Sequence, residues 1–488
     1  MVLITNMSES DYDIQQPKAA AITESLRSIG YSIETAIADL IDNSITAGAT
    51  SISISGEYKG KNTAIFILDD GEGMSEDVLK NAMRLGSASP ADTRAKKDLG
   101  RFGLGLKTAS FSQCRKFSVI SKQNGSISGR YWDLDIINST NEWQLRRDVD
   151  QSYVEKLEKF EHGTLIVWEK LDRVISEKDK DAEKRFNAKK NAIKNHLGLT
   201  FHRFIESGKL SIKVGGVLVP AWNPFLPEKD FSVKKEIPAV TACGGTVTIK
   251  GWVMPHKMYF SDPEYRNAGY NKGWTHMQGF YIYRANRLLV AGGWLGLTIN
   301  GQPIRQEHHY DLARICVDIS NEHDFDWDID IKKSKATPPD YLIHSLESVA
   351  KQTRRLAYET YVFRGVPQKT KTSTGRSVIP LWSTAQERNK KLYYSINSDF
   401  PLIKDLLTGL DSEKTAKVKE LLKLLAETIP VQNIDFHVSN QERKDFSSPY
   451  ENCPEELDAM FKMLIESYMA QGFNKSEAEE QARILLHL

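Results

Sequence analysis

A helical stretch, two strands and two glycine-marked loops, in that order, constrain what this chain can become. Residues 17–46 are rich in Ala, Ile, Leu, Ser and Glu at helical spacing, and Ile37, Leu40 and Ile41 mark an apolar face. Asp39 and Asn43 stand four apart, so on a helix they share a face. SISISGEY at 51–58 alternates apolar and small polar residues, and NTAIFILDDGEGM at 62–74 is an apolar run closing in a glycine-punctuated acidic turn; both read as strands. The second strand delivers Asp69 to a loop. GRFGLGLKTAS at 100–110 then reads as a flap running into a helix N-terminus, and HGTLIVW at 162–168 opens a further strand on a Gly-Thr pair.

Each element has a chemical use. A carboxylate beside an amide oxygen suits a Mg²⁺-nucleotide site, because the amide coordinates a hard cation and the carboxylate takes a proton from an attacking water. Alone the pair is commonplace on solvated helix faces. Gly71 and Gly73 follow Asp69 and, lacking side chains, let a planar ring approach the backbone beside a carboxylate able to accept an adenine amino hydrogen bond. Gly100, Gly103 and Gly105 precede a helix whose free N–H groups and dipole favour phosphate.

Taken together, acid-x-x-x-Asn, D-x-G-x-G, a flap ending in GLGLK and a later Gly-Thr resemble the Bergerat pattern of the GHKL ATPases (gyrase, chaperone, histidine kinase, MutL) over residues 1 to about 171. LIDNS, the flap and YIYRANRLL at 281–289 most resemble the MORC proteins and their bacterial MORC-like (paraMORC) relatives, with MutL also similar. With the second domain the likeness covers roughly residues 17–345. It implies Asp39 as general base, Asn43 as Mg²⁺ ligand, and Asp69 with Gly71 and Gly73 as the adenine site. It further implies Gly100, Gly103, Gly105, Lys107 and Thr108 as the flap over the phosphates and Thr164 as a residue near the base. The general base of this family is usually Glu. Asp39 is one methylene shorter, so either the helix sits closer to the water or hydrolysis is slow. A second domain of the transducer kind implies a lysine lent to the nucleotide, matched in DIDIKKSKATPP at 328–339 by Lys335, with Lys333 as the alternative and a lysine-rich surface loop as the plainer reading.

A chain of 488 residues exceeds what one core usually organises. The expected class is α+β: a Bergerat α/β sandwich at 1–171, a ribosomal-S5-like transducer at 172–346, a basic connector at 347–382 and a helical C-terminal module at 383–488. The charged stretch 173–194 reads as a solvated helix face leading into the second domain. KLSIKVGG, GTVTIKGWVM, GFYIYRANRLLV and ARICVDIS read as that domain's strands. No run approaches the roughly 20 apolar residues that span a bilayer, and the N-terminus has no export leader, so a cytoplasmic protein is expected. Cys114, Cys243, Cys316 and Cys453 lie far apart and read as reduced, buried thiols rather than a metal cluster or disulfide framework.

A net charge of +1 leaves nucleic-acid contact to a local patch. Residues 351–376 carry seven Lys or Arg against the single acid Glu359; this is the expected contact for double-stranded DNA, with a basic interdomain linker as the plainer reading. The resemblance implies a homodimer formed on ATP binding that clamps DNA, in a bacterial defence or DNA-maintenance setting, and leaves room for a partner nuclease or other defence subunit. An ATP-dependent chaperone acting on protein clients is the alternative, though its client surface needs a large middle domain. A sensor kinase needs a phosphoacceptor histidine ahead of the pocket, and no histidine precedes His162. A topoisomerase needs a cleavage module larger than the tail. DFHVSNQER at 435–443 is rejected as an endonuclease motif because Glu442 is out of register and no later acid completes it.

Overall fold

The computed structural model describes residues 17–28, 30–86, 105–175, 178–228, 235–243, 247–320, 323, 326–329, 336–361, 379–386, 392–431 and 453–486. The first unit contains α1 (Ala19–Arg27), α2 (Ile33–Thr46), β1 (Ser51–Glu57), β2 (Ala64–Asp69), α3 (Glu76–Met83), α4 (Gly105–Phe111), β3 (Lys116–Gln123), β4 (Ser126–Asp133), α5 (Leu134–Thr140), α6 (Gln151–Glu158), β5 (Gly163–Glu169), α7 (Ala182–Thr200), α8 (His202–Glu206), β6 (Ser211–Val214) and β7 (Val217–Leu218). The strands form one sheet in the order β4-β3-β5-β2-β1-β6-β7.

Helix α2 starts where the Ser32 side chain accepts from the Thr35 N–H, relieving one of the unpaired donors of the first turn. Its apolar residues Ile37, Leu40 and Ile41 are fully buried against Ile52, Ile65 and Ile67 of the sheet. Strand alternation then decides where the acid goes. In β2, Ile65, Ile67 and Asp69 share the face under α2, while Ala64, Phe66 and Leu68 turn to the other face, where Leu157 and Tyr153 of α6 cover them. Asp69 therefore ends its strand pointing at the helix that carries Asp39 and Asn43.

The first unit does not close near residue 171. Strand β6 pairs in parallel with β1, Ser51 opposite Ser211 and Ile54 opposite Val214, and β7 pairs antiparallel to β6. KLSIKVGG thus completes the first sheet instead of opening the second. The reason is that a parallel partner for β1 requires a crossover, and the charged stretch supplies it as α7, with Phe186, Ile193 and Leu197 buried in the first core.

The second unit has β8 (Lys235–Glu236), β9 (Val240–Ala242), β10 (Val247–Val253), α9 (Asp262–Ala268), α10 (Trp274–Met277), β11 (Gly279–Arg284), β12 (Arg287–Ala291), a short β13–β14 hairpin (Thr298–Ile299, Gln302–Pro303), β15 (Ala313–Ile319), a β16–β17 pair (Asp328–Ile329, Ala336–Thr337) and α11 (Asp340–Tyr361). Its sheet runs β12-β11-β15-β10-β8 with β9 also on β10, and β11 and β15 are parallel. Leu342, Leu346, Val349, Ala350 and Ala357 of α11 pack on it. A separate cluster of Leu199, Met277, Tyr281, Tyr283, Leu288 and Cys316 joins the two units.

The third unit is not purely helical. An antiparallel hairpin, β18 (Trp382–Gln386) and β19 (Leu392–Ile396), precedes α12 (Pro401–Thr408), α13 (Ser412–Glu427), α14 (Pro454–Ala470) and α15 (Lys475–Leu486). Phe400, Ile403, Leu464, Tyr468, Ala478 and Ala482 form its core. The basic stretch is divided as well: 351–361 belongs to α11, and 362–376 lies outside the described residues. Arg354 is folded inward there, its guanidinium 3.7 Å from the Tyr310 ring and 5.1 Å from that of Trp294. Of the four free cysteines, Cys114 and Cys316 are buried, whereas Cys453 is partly exposed and Cys243 exposed. Among the described residues no helix is long and apolar enough to cross a membrane.

Candidate functional site

The site forms where α2 crosses the end of β2. Asp69 is buried and fully engaged: its Oδ1 accepts from the backbone N–H groups of Gly71 (3.0 Å) and Thr164 (3.2 Å), and its Oδ2 from the Ser44 hydroxyl (2.7 Å). Burial raises its pKa above the ordinary carboxylate value, and these donors pull it back part of the way. Thr164 sits opposite Asp69 in the β2–β5 register, so the antiparallel pairing itself brings the Gly-Thr motif to the acid.

The loop after β2 is held by backbone. Glu72 N–H bonds to the Ala47 carbonyl at the end of α2, and His162 Nδ1 donates to the Gly71 carbonyl at 2.7 Å. Gly73 has φ of +70°, and a Cβ there would lie 1.9 Å from the Lys122 carbonyl oxygen. A Cβ on Gly71 would stand 3.1 Å from Asp69 Oδ1 and from Ala47, crowding the carboxylate. Ser121 of β3 ties the arrangement together, accepting from the Met74 N–H at 2.9 Å and lying 2.9 Å from the Thr164 hydroxyl.

On α2, Asn43 is exposed while Asp39, one turn earlier, is buried. Asp39 Oδ2 accepts from the Tyr31 hydroxyl at 2.9 Å, and the Tyr31 carbonyl is in turn held by Gln113 just beyond α4. Arg287 of the second unit lies on the other side, its Nη2 3.8 Å from Asp39 Oδ1.

The flap is described only from Gly105 onward; Gly100 and Gly103 lie outside the described residues, as do Lys333 and Lys335. Lys107 and Thr108 are buried in α4. The Lys107 ammonium donates to the Ala82 carbonyl at 2.9 Å, and burial lowers its pKa to about 8. The structure thus brings together Asp39, Asn43, Asp69, Gly71, Gly73 and Thr164. Ser44, Ser121, Tyr31 and Arg287 were not read from sequence. Ser44 had a signal, since it lies four residues after Leu40 and five after Asp39, on a helix over a strand end. Arg287 lies within YIYRANRLL, quoted only for the family likeness, and nothing local marks its role because the Asp42 carboxylate it pairs with is more than two hundred residues away.

The donor set fits a Mg²⁺-nucleotide. An exposed amide offers a hard oxygen, a buried carboxylate stands one turn away, and a second carboxylate ends a glycine-cleared strand. No curated protein matches the chain. Residues 31–164 match the family model described as "Histidine kinase-, DNA gyrase B-, and HSP90-like ATPase", a stretch that begins at Tyr31 and ends at Thr164. Over that stretch the chain is similar to GHKL-type ATPase domains, a kind that binds ATP, usually with Mg²⁺, and hydrolyses it.

Proposed function

We propose that the chain hydrolyses ATP and works as an ATP-gated homodimeric clamp on double-stranded DNA, after the manner of MORC-like and MutL-like proteins, in a bacterial defence or DNA-maintenance system. The observation that carries the nucleotide reading is that α2 holds both ends of the site: Ser44 bonds Asp69, while Asp39 and Asn43 lie on the same helix. Asp69 is assigned to the adenine amino group, with Gly71 and Gly73 admitting the ring and Thr164 beside it. Asp39 is assigned the proton of the attacking water and Asn43 the cation. Bound Mg²⁺ supplies neutralising charge on the phosphate oxygens. The flap glycines Gly100, Gly103 and Gly105, with Lys107 and Thr108, are assigned to closure over the phosphates.

The second unit is read as the ribosomal-S5-like transducer, which would lend Lys335, or else Lys333, to the nucleotide. Support comes from its mixed sheet, whose β11–β12 hairpin reaches α2. Exposed Arg355, with Lys369 and Lys371 further along, is assigned to the DNA backbone, where phosphate contacts carry no base information. The test is ATP turnover by the full chain, alone, with duplex DNA, and with unfolded protein. Turnover raised by DNA supports the clamp; turnover raised only by unfolded protein favours the chaperone reading; no turnover in any arm refutes both.

A further inference from the structure

We propose that Arg287, supplied by the second unit, is a positioning residue that orients the Asp39 carboxylate for proton abstraction. The inference rests on Asp39 being the base.

Arg287 opens β12, immediately after a two-residue turn in which Ala285 and Asn286 both have positive φ, 47° and 68°. A turn of this hand matches the twist of an antiparallel hairpin. It throws the first residue of the return strand toward the first unit. Arg203 of α8 fixes the hairpin from below, ion-paired to Asp318 and stacked 3.5 Å from the Tyr283 ring.

From that base the guanidinium is held on three sides. Its Nε donates to both Asp42 oxygens at 3.0 Å, Nη1 donates to the Leu288 carbonyl at 3.0 Å, and Nη2 remains 3.8 Å from Asp39 Oδ1. Arg287, Asp42 and Asp39 are 5%, 1% and 4% exposed, so little solvent screens them. Asp39 and Asp42 are three apart on α2 and therefore neighbours. Without a cation between them, two buried like charges would push each other aside. The fork, anchored on Asp42, instead presents one nitrogen to Asp39 while Tyr31 donates to its other oxygen. Asp39 is thus held on one oxygen by Tyr31, which Gln113 holds, and approached on the other by Arg287 of the second unit. A shorter base than the usual Glu gains most from such a grip, since it cannot reach a misplaced water. The docking of the second unit thereby sets the geometry of the base.

The test is steady-state ATP turnover of the full chain carrying Arg287→Gln or Arg287→Lys, each also combined with Asp39→Asn, with thermal stabilisation by a non-hydrolysable ATP analogue measured in parallel. Gln removes the charge; Lys keeps it without the fork. Arg287→Gln should lower kcat by about a hundredfold, the usual result of misplacing a reacting group by an ångström. Arg287→Lys should lose less, KM and analogue stabilisation should hold, and Asp39→Asn should mask either change. Wild-type kcat in the Lys and Gln variants overturns the proposal. So does a loss that adds to that of Asp39→Asn, which would make Arg287 a domain anchor only. If the Gln variant does not fold, the Lys variant decides: reduced kcat at unchanged KM supports the proposal and wild-type kcat overturns it. Normal turnover in Asp39→Asn alone removes Asp39 as the base, and this proposal with it, without any change at Arg287.

Discussion

Ser44 donates its hydroxyl proton to Asp69 at 2.7 Å, so the helix that carries the proposed base and cation ligand also fixes the acid assigned to adenine. Two proposed roles on different elements thus share one support. A shift of α2 moves both.

That sharing makes Ser44→Ala informative. A hydrogen bond to a charged group contributes roughly 1.5–3 kcal/mol, and its loss leaves one Asp69 oxygen free to swing. Analogue affinity should fall about tenfold or more, read by thermal shift or calorimetry. Unaltered affinity would show that Gly71 and Thr164 suffice to hold the carboxylate.

Asp39→Asn should retain nucleotide binding and lose about 10² to 10⁴ in hydrolysis, the span of a positioned base. The variant should accumulate as an ATP-bound dimer, visible by light scattering. Rapid turnover in single-turnover assays would move the role elsewhere on α2.

Lys335→Ala should keep ADP affinity, lose most turnover and fail to compact in solution scattering on addition of the ATP analogue. One preorganised cation at developing phosphoryl charge supplies roughly 3–4 kcal/mol in comparable sites, and ADP offers it no equivalent partner. Full compaction in Lys335→Ala together with none in Lys333→Ala would transfer the role to the neighbouring lysine.

Arg355, Lys369 and Lys371 changed together to Ala should weaken duplex binding evenly across sequences and flatten its salt dependence. Arg354 behaves differently because its guanidinium is packed on Tyr310 and 11% exposed. Arg354→Ala should lower thermal stability by an amount on the order of 0.5–2 kcal/mol and leave DNA affinity alone. Lost DNA affinity in that single variant contradicts the assignment.

His202 gives a pH signature. Its Nδ1–H donates to the Leu199 carbonyl at 2.7 Å, its Nε2 accepts from the Tyr283 hydroxyl at 3.3 Å, and burial lowers its pKa to about 4. The unfolded chain takes up this proton below about pH 6.5, whereas the native chain refuses it until about pH 4. Stability from this group is therefore complete above the unfolded value and is lost as pH falls through that window, by roughly 3 kcal/mol. His202→Gln should flatten the fall in melting temperature between those limits. An unchanged slope would place the acid sensitivity on other groups.

The pocket was legible because its signals are local. Asp39 and Asn43 need only the helical period, and Asp69 with Gly71 and Gly73 needs only a strand ending in a turn. The resemblance implied only that Thr164 lies near the base; the register that sets it opposite Asp69 comes from the fold. What escaped reading depends on distant pairing. Nothing in KLSIKVGG says that its partner is β1, and a charged helix over 182–200 hides the buried Phe186, Ile193 and Leu197 that make it a crossover. Arg354 in a run of cations reads as solvated, and only the fold places Tyr310 beneath it. The hairpin at 382–396 was missed because Trp382, Tyr393 and Tyr394 sit beside polar residues in a segment otherwise dominated by helical signals.

The parallel pairing of β1 with β6 fixes an order of events during synthesis. Strand β1 emerges from the ribosome with one edge unsatisfied, and its partner at Ser211–Val214 follows only after the whole of α7 has been made. Until then the edge bearing Ile52 and Ile54 is open to a neighbouring chain, the usual seed of aggregation. A fragment ending near 171 stays in that condition permanently, whereas one ending after Leu218 has its own edge strand.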